Sequence, residues 1–220
     1  MFLLTSLFAL LSTIIGVTGD APTIYVYAYS WTPGFCYNTE YPGCSDSLPY
    51  WGTNFTIHGL WPQYINTGYP SSCTNEPFDT NIPNEVGEDT MIQYWPDVQY
   101  TVSDPQYDSF WIHEWSKHGT CTGLTQLQYF NEAIQLTQRI PTPTILSESV
   151  GKNVSANVLR NDMGGEKYVA LQCKNQILTG AFTCWNQTNG IPTTQIMCPS
   201  SVVKEDTCIL SDDIQVVKLE

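Results

Sequence analysis

Short runs of β-branched and aromatic residues occur near both ends of the chain, and two helical patterns lie between them. We predict four strands, at 23–29, 54–58, 168–172 and 177–185. One helix is predicted from Asp104 to His118, because Asp-Pro is typical of a helix start and glycine follows the last residue. A second helix is predicted over 124–139, where apolar residues recur at helical spacing.

The order of these elements favours an α+β fold, because strands come first, helices follow and strands return without regular alternation. We expect a central, mainly antiparallel sheet flanked by helices and stabilised by disulfides. Two segments rich in Pro, Thr, Ser and Asn, 66–83 and 141–157, are predicted to be loops. The 220 residues fit one large domain or two small ones, and we take a single domain over 20–220.

The first 19 residues have the pattern of a secretory signal peptide. Residues 2–17 contain no charged side chain and are rich in Leu, Phe and Ile, and small residues follow up to Gly19. This run is short for a membrane span, so we favour removal of 1–19 over retention as a signal anchor. We expect a mature protein that is secreted or held in an endolysosomal or vacuolar lumen, without a membrane segment.

The cysteines and the glycosylation sequons agree with a protein that enters the secretory pathway. An even number of cysteines after the leader indicates disulfides in a secreted chain, but the residues alone leave the pairing open. The eight are Cys36, Cys44, Cys73, Cys121, Cys173, Cys184, Cys198 and Cys208. Asn54, Asn153 and Asn186 each begin an N-x-Ser/Thr triplet, although such triplets also occur by chance. Asn54 opens a predicted strand and is the least favourable of the three.

The charge of the chain limits how it can bind an anion. Twenty-one acidic residues against 8 Lys and Arg give a net charge of -13, which argues against a broad basic surface for nucleic acid. Lys117 is the only Lys or Arg among residues 1–138, and it lies between two histidines. A local anion site at Lys117 is one interpretation; a solvated lysine paired with Glu114 or with nearby Asp residues is the other.

The three histidines are the sharpest chemical signal. His58 lies in FTIHGLWP, and His113 and His118 lie in FWIHEWSKHGTC. On a helix, Glu114, Lys117 and both histidines of the second segment fall within about 140° of one face, and the tryptophans beside them face inward.

Imidazoles can serve as acid and base in phosphoryl transfer, with Lys117 stabilising the developing charge. Glu114 is placed to orient His118 from i to i+4. Taken singly, each histidine could instead be structural.

Metal and cofactor chemistry is not indicated. The string HEWSK resembles the start of a zinc-protease helix, but that motif requires histidine where this chain has Lys117. No nucleophile motif for serine or cysteine and no glycine-rich phosphate loop is present. We therefore expect neither a metal nor a cofactor.

With both histidine segments in view, the chain resembles the ribonuclease T2 family. The resemblance implies that His58 is the general acid and His118 the general base. It implies that Glu114 and Lys117 support the transition state and that His113 binds phosphate. The expected reaction cleaves single-stranded RNA by attack of the ribose 2′-hydroxyl, through a 2′,3′-cyclic phosphate to a 3′-phosphate. DNA lacks that nucleophile and is not expected as a substrate.

The resemblance also implies base-binding residues and a disulfide pattern. Trp61 and Tyr69 resemble aromatics that hold one base, and Phe110 is expected near a second, although core packing is the alternative for the first two. Gln63 stands where some members carry an acid, so no purine preference is carried over. The implied bridges are Cys36 to Cys44, Cys73 to Cys121, Cys173 to Cys208 and Cys184 to Cys198.

Acidic residues and histidine chemistry together predict an optimum below neutral pH. We expect a monomer. Two rival functions stay open: a non-catalytic RNA-binding, storage or signalling protein of the same fold, and a metal-dependent secreted hydrolase.

Overall fold

The structure of the protein, a computed structural model, describes residues 24–66, 68–208 and 213–219. The predicted leader, 1–19, lies outside them. All four predicted strands are present, and three further strands join them in one sheet of the described residues. The strands are β1 (Ile24–Ser30), β2 (Thr56–Gln63), β3 (Lys152–Ser155), β4 (Val169–Lys174), β5 (Ile177–Thr188), β6 (Ile191–Ile196) and β7 (Asp213–Val216).

The long strand β5 is the hub of this sheet. It pairs antiparallel with β1, with β4 and with β6, and its first residue pairs parallel with β7. The remaining pairs, β1 with β2 and β3 with β7, are antiparallel. The predicted α+β class with a mainly antiparallel sheet is therefore confirmed.

Helices of the described residues are mostly short and flank the sheet. They are α1 (Thr32–Cys36), α2 (Pro42–Ser45), α3 (Ile82–Val86), α4 (Glu88–Tyr94), α5 (Ser109–Lys117), α6 (Gln126–Arg139), α7 (Thr144–Glu148), α8 (Ala156–Asp162) and α9 (Ser200–Val203). Single 3₁₀ turns lie at Pro49–Gly52 and Gly119–Cys121. None of the helices in the described part of the chain is long and apolar enough to cross a membrane.

The two predicted helices exist, but the first begins later than expected. Asp104 caps a turn instead of α5, since its carboxylate accepts a hydrogen bond from the Gln106 backbone N–H at 2.8 Å. Helix α6 begins after Thr125, whose side chain forms a reciprocal capping box with Gln128.

The main core lies between α6 and one face of β1 and β2. Tyr25, Tyr27 and Tyr29 alternate along β1 and are all buried on this face. The Tyr27 hydroxyl donates to the Ala133 carbonyl of α6 at 2.8 Å, so its polar end is satisfied inside the core. The other face of β1 is thereby left to form the floor of a pocket.

The prediction that segment 141–157 is a loop is wrong for most of that segment. Segment 141–157 contains α7, β3 and the start of α8, because β3 gains a partner in β7, which lies about 60 residues later in the chain. Segment 66–83 is irregular in its described part until α3 begins at Ile82.

The sequon residues Asn153 and Asn186 lie in β3 and β5, and both are exposed. The Asn54 amide donates to the Tyr50 carbonyl at 3.1 Å, and Thr56 of the same triplet is buried.

Four disulfides join the cysteines in the pattern that the resemblance implies. The pairs are Cys36–Cys44, Cys73–Cys121, Cys173–Cys208 and Cys184–Cys198. The last two tie the segment around α9 to β4 and β5, which matters for the pocket described next.

Candidate active site

A β-bulge sets the direction of His58. The pairing of β2 with β1 skips this residue, because Ile57 and Gly59 oppose consecutive residues of β1. In a regular strand His58 would share the buried face of Leu60, since side chains alternate. The extra residue turns His58 to the opposite face, where it lines a pocket with Trp61.

Helix α5 supplies the other histidines at the same pocket, which has a volume of about 270 Å³. His113, Glu114 and Lys117 line it from the helix, and His118 lines it from the residue that ends the helix. The helical spacing predicted this shared face. Trp111 and Trp115 are buried, as that spacing also predicted.

His118 is held by packing more than by hydrogen bonds. Its ring stacks on Trp61, with centroids 5.0 Å apart and planes at 24°. Its Nδ1 is buried and has no hydrogen-bond partner among the described residues, so Nε2 is the nitrogen left for chemistry. Burial, and then the charge of Lys117, lowers the pKa of His118 to about 3.

Glu114 is almost completely buried, and its partners differ from the prediction. It was expected to orient His118, but its Oε2 accepts a 2.8 Å hydrogen bond from Trp61 Nε1. Its Oε1 lies 3.9 Å from His58 Nε2. Burial raises the pKa of Glu114 to about 8, partly offset by the Trp61 hydrogen bond and the charge of Lys117. Trp61 thus touches both the carboxyl group and the His118 ring.

Gly59 leaves room for the hydrogen bond between Glu114 and Trp61. A Cβ at this position would collide with Glu114 Oε2 and with Trp61 Nε1, the two atoms that share the hydrogen bond. The glycine of the first histidine segment is therefore a steric requirement of the site.

Lys117 is a half-buried cation that has no carboxylate within ion-pair distance among the described residues. The expected alternative, a lysine paired with Glu114, is therefore not what the structure has. Its charge still contributes to lowering the pKa of His58, after burial and the charge of His113. His113 lies exposed at the rim of the pocket, and partial burial followed by Lys117 lowers its pKa as well.

The three expected base-binding residues lie on two sides of His58. Trp61 and Tyr69 line the 270 Å³ pocket, and 57% of Tyr69 is exposed, which excludes core packing for it. Phe110 lies against the other side of the His58 imidazole, with ring centroids 5.2 Å apart. There it lines a second pocket of about 100 Å³ together with Gln99.

Comparisons with known proteins agree with this geometry. A model of the ribonuclease T2 family matches residues 22–193. The chain belongs to the ribonuclease T2 family.

Named members of this family are moderately similar. Extracellular ribonuclease LE of Solanum lycopersicum is 30% identical over 172 residues, covering 75% of this chain and 68% of that protein. A ribonuclease of Aeromonas hydrophila is 36% identical over 129 residues, covering 57% and 49%. This chain spans about half to two thirds of the length of the curated relatives it matches.

Solved structures share the fold. A mutant of RNase MC1 in complex with 5′-GMP gives a TM-score of 0.67 at 25% identity, covering 88% of this chain and 99% of that one. An RNase-related protein from Calystegia sepium gives 0.66 at 22% identity, covering 92% and 100%.

In this ribonuclease T2 chain, the loop after β2 is fastened to the end of α5. Cys73 forms a disulfide with Cys121, and its backbone N–H donates to the Thr120 hydroxyl at 3.1 Å. The Ser72 backbone N–H donates to the Lys117 carbonyl at 2.9 Å. The loop that carries Tyr69 is thereby fixed against the helix that carries the charged residues.

Part of the pocket could not be predicted from the sequence. Its far wall consists of Val26 from β1, Phe182 from β5, Val202 from α9 and Glu205 just after it. These residues come from separate segments, and none lies in a recognisable motif. Among the described residues, no group of three or more His, Cys, Asp and Glu could hold a metal ion.

Proposed function

We propose that this protein is an endoribonuclease that cleaves single-stranded RNA through a 2′,3′-cyclic phosphate, with His58 as general acid and His118 as general base. The observation that carries the proposal is the meeting of both imidazoles and an unpaired ammonium in one pocket. The substrate supplies its own nucleophile, so the reaction requires no metal or other cofactor.

In the first step, His118 accepts the proton of the ribose 2′-hydroxyl. The 2′-oxygen attacks phosphorus and forms the new O–P bond, and the bond from phosphorus to the 5′-oxygen breaks. His58 donates its proton to that leaving oxygen. In the second step, water attacks the cyclic phosphate and gives a proton to neutral His58. The new O–P bond forms as the bond from phosphorus to the 2′-oxygen breaks, and His118 returns its proton to that oxygen. The product carries a 3′-phosphate.

Three groups around the imidazoles affect the negative charge of the bound phosphate. Lys117 stabilises the negative charge that develops on the phosphorane oxygens, since no protein carboxylate among the described residues neutralises it. His113, at the rim, binds the phosphate as it enters. Glu114 is neutral at acid pH because burial raises its pKa, so it adds no repulsion there and can donate a hydrogen bond to a phosphate oxygen.

The histidine roles predict an acid optimum. His118 must be neutral to act as a base, and its lowered pKa keeps it neutral at acid pH. His58 must be protonated to act as an acid, so the active fraction grows as pH falls towards its pKa, which burial also lowers. Bound phosphate raises that pKa, which moves the optimum upward but keeps it below neutral. A pH-rate profile that peaks above about pH 8 would contradict these roles.

The two pockets hold different nucleosides of the substrate. The nucleoside that carries the attacking 2′-hydroxyl lies on the His118 side, near Trp61 and Tyr69. The leaving nucleoside lies beyond His58, in the pocket that Phe110 lines. Both pockets are therefore occupied by consecutive nucleotides of one strand, which favours unpaired RNA.

The compartment follows from the disulfides. No free cysteine is present among the described residues, and four bridges require an oxidising compartment. Together with the leader predicted at 1–19, this supports export to the secretory route and, at its end, secretion or an endolysosomal or vacuolar lumen. Exposed Asn153 and Asn186 are the favoured glycosylation sites. We propose a monomer without a membrane segment.

The test is incubation of the purified mature protein with RNA and with single-stranded DNA of the same sequence, at about pH 5 in EDTA. Mass spectrometry of the termini should find cyclic phosphate and 3′-phosphate ends on RNA and intact DNA. The His118→Ala variant, with disulfides and circular dichroism unchanged, should lose the activity by a factor of about 10² to 10⁴.

The same experiment separates the rivals. Intact RNA that nevertheless co-elutes with the protein indicates a non-catalytic binding protein. Cleavage that appears only after zinc or magnesium is added indicates a metal-dependent hydrolase. Either result overturns the proposed mechanism.

A further inference from the structure

The far wall of the pocket holds an acid that the proposed mechanism does not use. Glu205 lines the same pocket as Lys117 and His118, yet its carboxylate forms no hydrogen bond or ion pair with any described residue. The protein already carries a net charge of -13, so a further carboxylate weakens phosphate binding. Its presence points to donor groups on the substrate.

The backbone around Glu205 is rigidly held. Its N–H donates to the Val202 carbonyl at 3.0 Å, and its carbonyl accepts from Gln172 Nε2 at 2.7 Å. The next residue, Asp206, is buried and forms a two-fold hydrogen-bonded ion pair with Arg160 at 2.9 Å. The backbone that carries the exposed Glu205 side chain is therefore fixed at the wall of the pocket.

Apolar side chains separate Glu205 from the reacting groups. Val202 is buried in a cluster with Val26, and Trp61 packs against this cluster. Phe182 lies 5.4 Å from Trp61 between ring centroids. Partial burial raises the pKa of Glu205. An apolar surface with a carboxylate beside it fits a nucleobase that packs on it and offers N–H groups.

We propose that Glu205 is a specificity-determining residue that selects guanine as the base on the 5′ side of the scissile phosphate. This rests on the proposed function, because His118 fixes the side on which that nucleoside lies. An ionised carboxylate only accepts hydrogen bonds. Guanine presents N1–H and N2–H side by side, which matches the two carboxylate oxygens.

The other bases match less well. Adenine and cytosine each offer one amino group beside an acceptor nitrogen, and uracil offers one N–H between two carbonyls. Gln63 lines the same pocket and can donate or accept, so it tolerates several bases and does not replace the carboxylate. The preference therefore depends on Glu205.

The experiment compares kcat/KM for the dinucleotides GpU, ApU, CpU and UpU at about pH 6. The wild-type protein should cleave GpU fastest, by a factor of about 10 over each of the others. Glu205→Gln, which keeps the shape but loses one acceptor, should remove most of that factor while leaving UpU nearly unchanged. Glu148→Gln, an exposed acid on α7 outside the pocket, is the matched control and should behave as wild type.

Equal rates on all four dinucleotides, a preference for another base, or a guanine preference that survives Glu205→Gln would each overturn the proposal. Binding of 3′-GMP against 3′-AMP and 3′-UMP, measured by calorimetry, tests it without catalysis. A protein that cleaves no RNA would refute the proposed reaction. If it still bound 3′-GMP selectively, and Glu205→Gln abolished that binding, guanine recognition by Glu205 would be supported. Binding of all three nucleotides with equal affinity would refute the recognition.

Discussion

Replacing Glu114 by glutamine should make the protein less sensitive to alkaline pH. Glutamine has nearly the same shape and keeps an oxygen that accepts the Trp61 hydrogen bond, but it cannot ionise. In the wild-type protein, burial raises the pKa of Glu114 from 4.5 to about 8. Between these two values the folded protein retains a proton that the unfolded chain releases, so the free energy of unfolding falls as pH rises.

The size of the effect follows from the two pKa values. One proton changes the free energy of unfolding by about 1.4 kcal/mol per pH unit across the window between them. The contribution is fully present below pH 4.5 and is lost as pH rises through 8. From pH 5 to pH 8, the wild-type protein should therefore lose about 3 kcal/mol relative to Glu114→Gln.

The assay is urea unfolding with intact disulfides at both pH values for both proteins. The histidines have lowered pKa values that act in the opposite direction. Their contribution largely cancels in the difference, because residue 114 is uncharged in both proteins over most of this pH range. Glu148→Gln serves as the control and should follow wild type. If the difference between wild type and Glu114→Gln changed by less than about 0.5 kcal/mol, the buried carboxyl would not have the assigned environment.

Three further changes test other parts of the site. Gly59→Ala should lower kcat/KM on RNA by a factor of about 100, because the new Cβ displaces the Glu114 carboxyl; unaltered kinetics in a folded variant would show that this contact is dispensable. Replacing Cys73 and Cys121 by serine opens a loop of 48 residues and should reduce the free energy of unfolding by about 4 kcal/mol in urea titrations, and a loss below about 1 kcal/mol would contradict it. Lys117→Met should raise the pKa values of the site histidines in NMR titrations, since a nearby positive charge is removed; unchanged values would place the ammonium elsewhere.

Helix α5 was predictable because its information is local. Helical spacing alone placed His113, Glu114 and Lys117 on one face, and the flanking tryptophans identified the buried side. The partner of Glu114 was not predictable, since the carboxyl meets Trp61 of a strand more than 50 residues earlier. Spacing along one helix identifies neighbours only within that helix.

Features that depend on pairing between distant strands escaped prediction. The direction of His58 results from a bulge that exists only where β2 meets β1, and no residue type marks it. The local sequence of β3 predicts a loop, because its partner β7 lies about 60 residues later in the chain. Glu205 reaches the pocket through the same long-range assembly, so motif reading could not find it.

The two walls of the pocket come from segments that are synthesised at different times. All three histidines have left the ribosome once residue 118 has emerged. Phe182, Val202 and Glu205 of the opposite wall follow much later in the chain. Strand β1 also lacks its second neighbour until β5 has been made. A nascent chain therefore holds an open, unsupported set of histidines and no closed pocket. The pocket is therefore completed only after β5 and α9 have been made, well after the histidines.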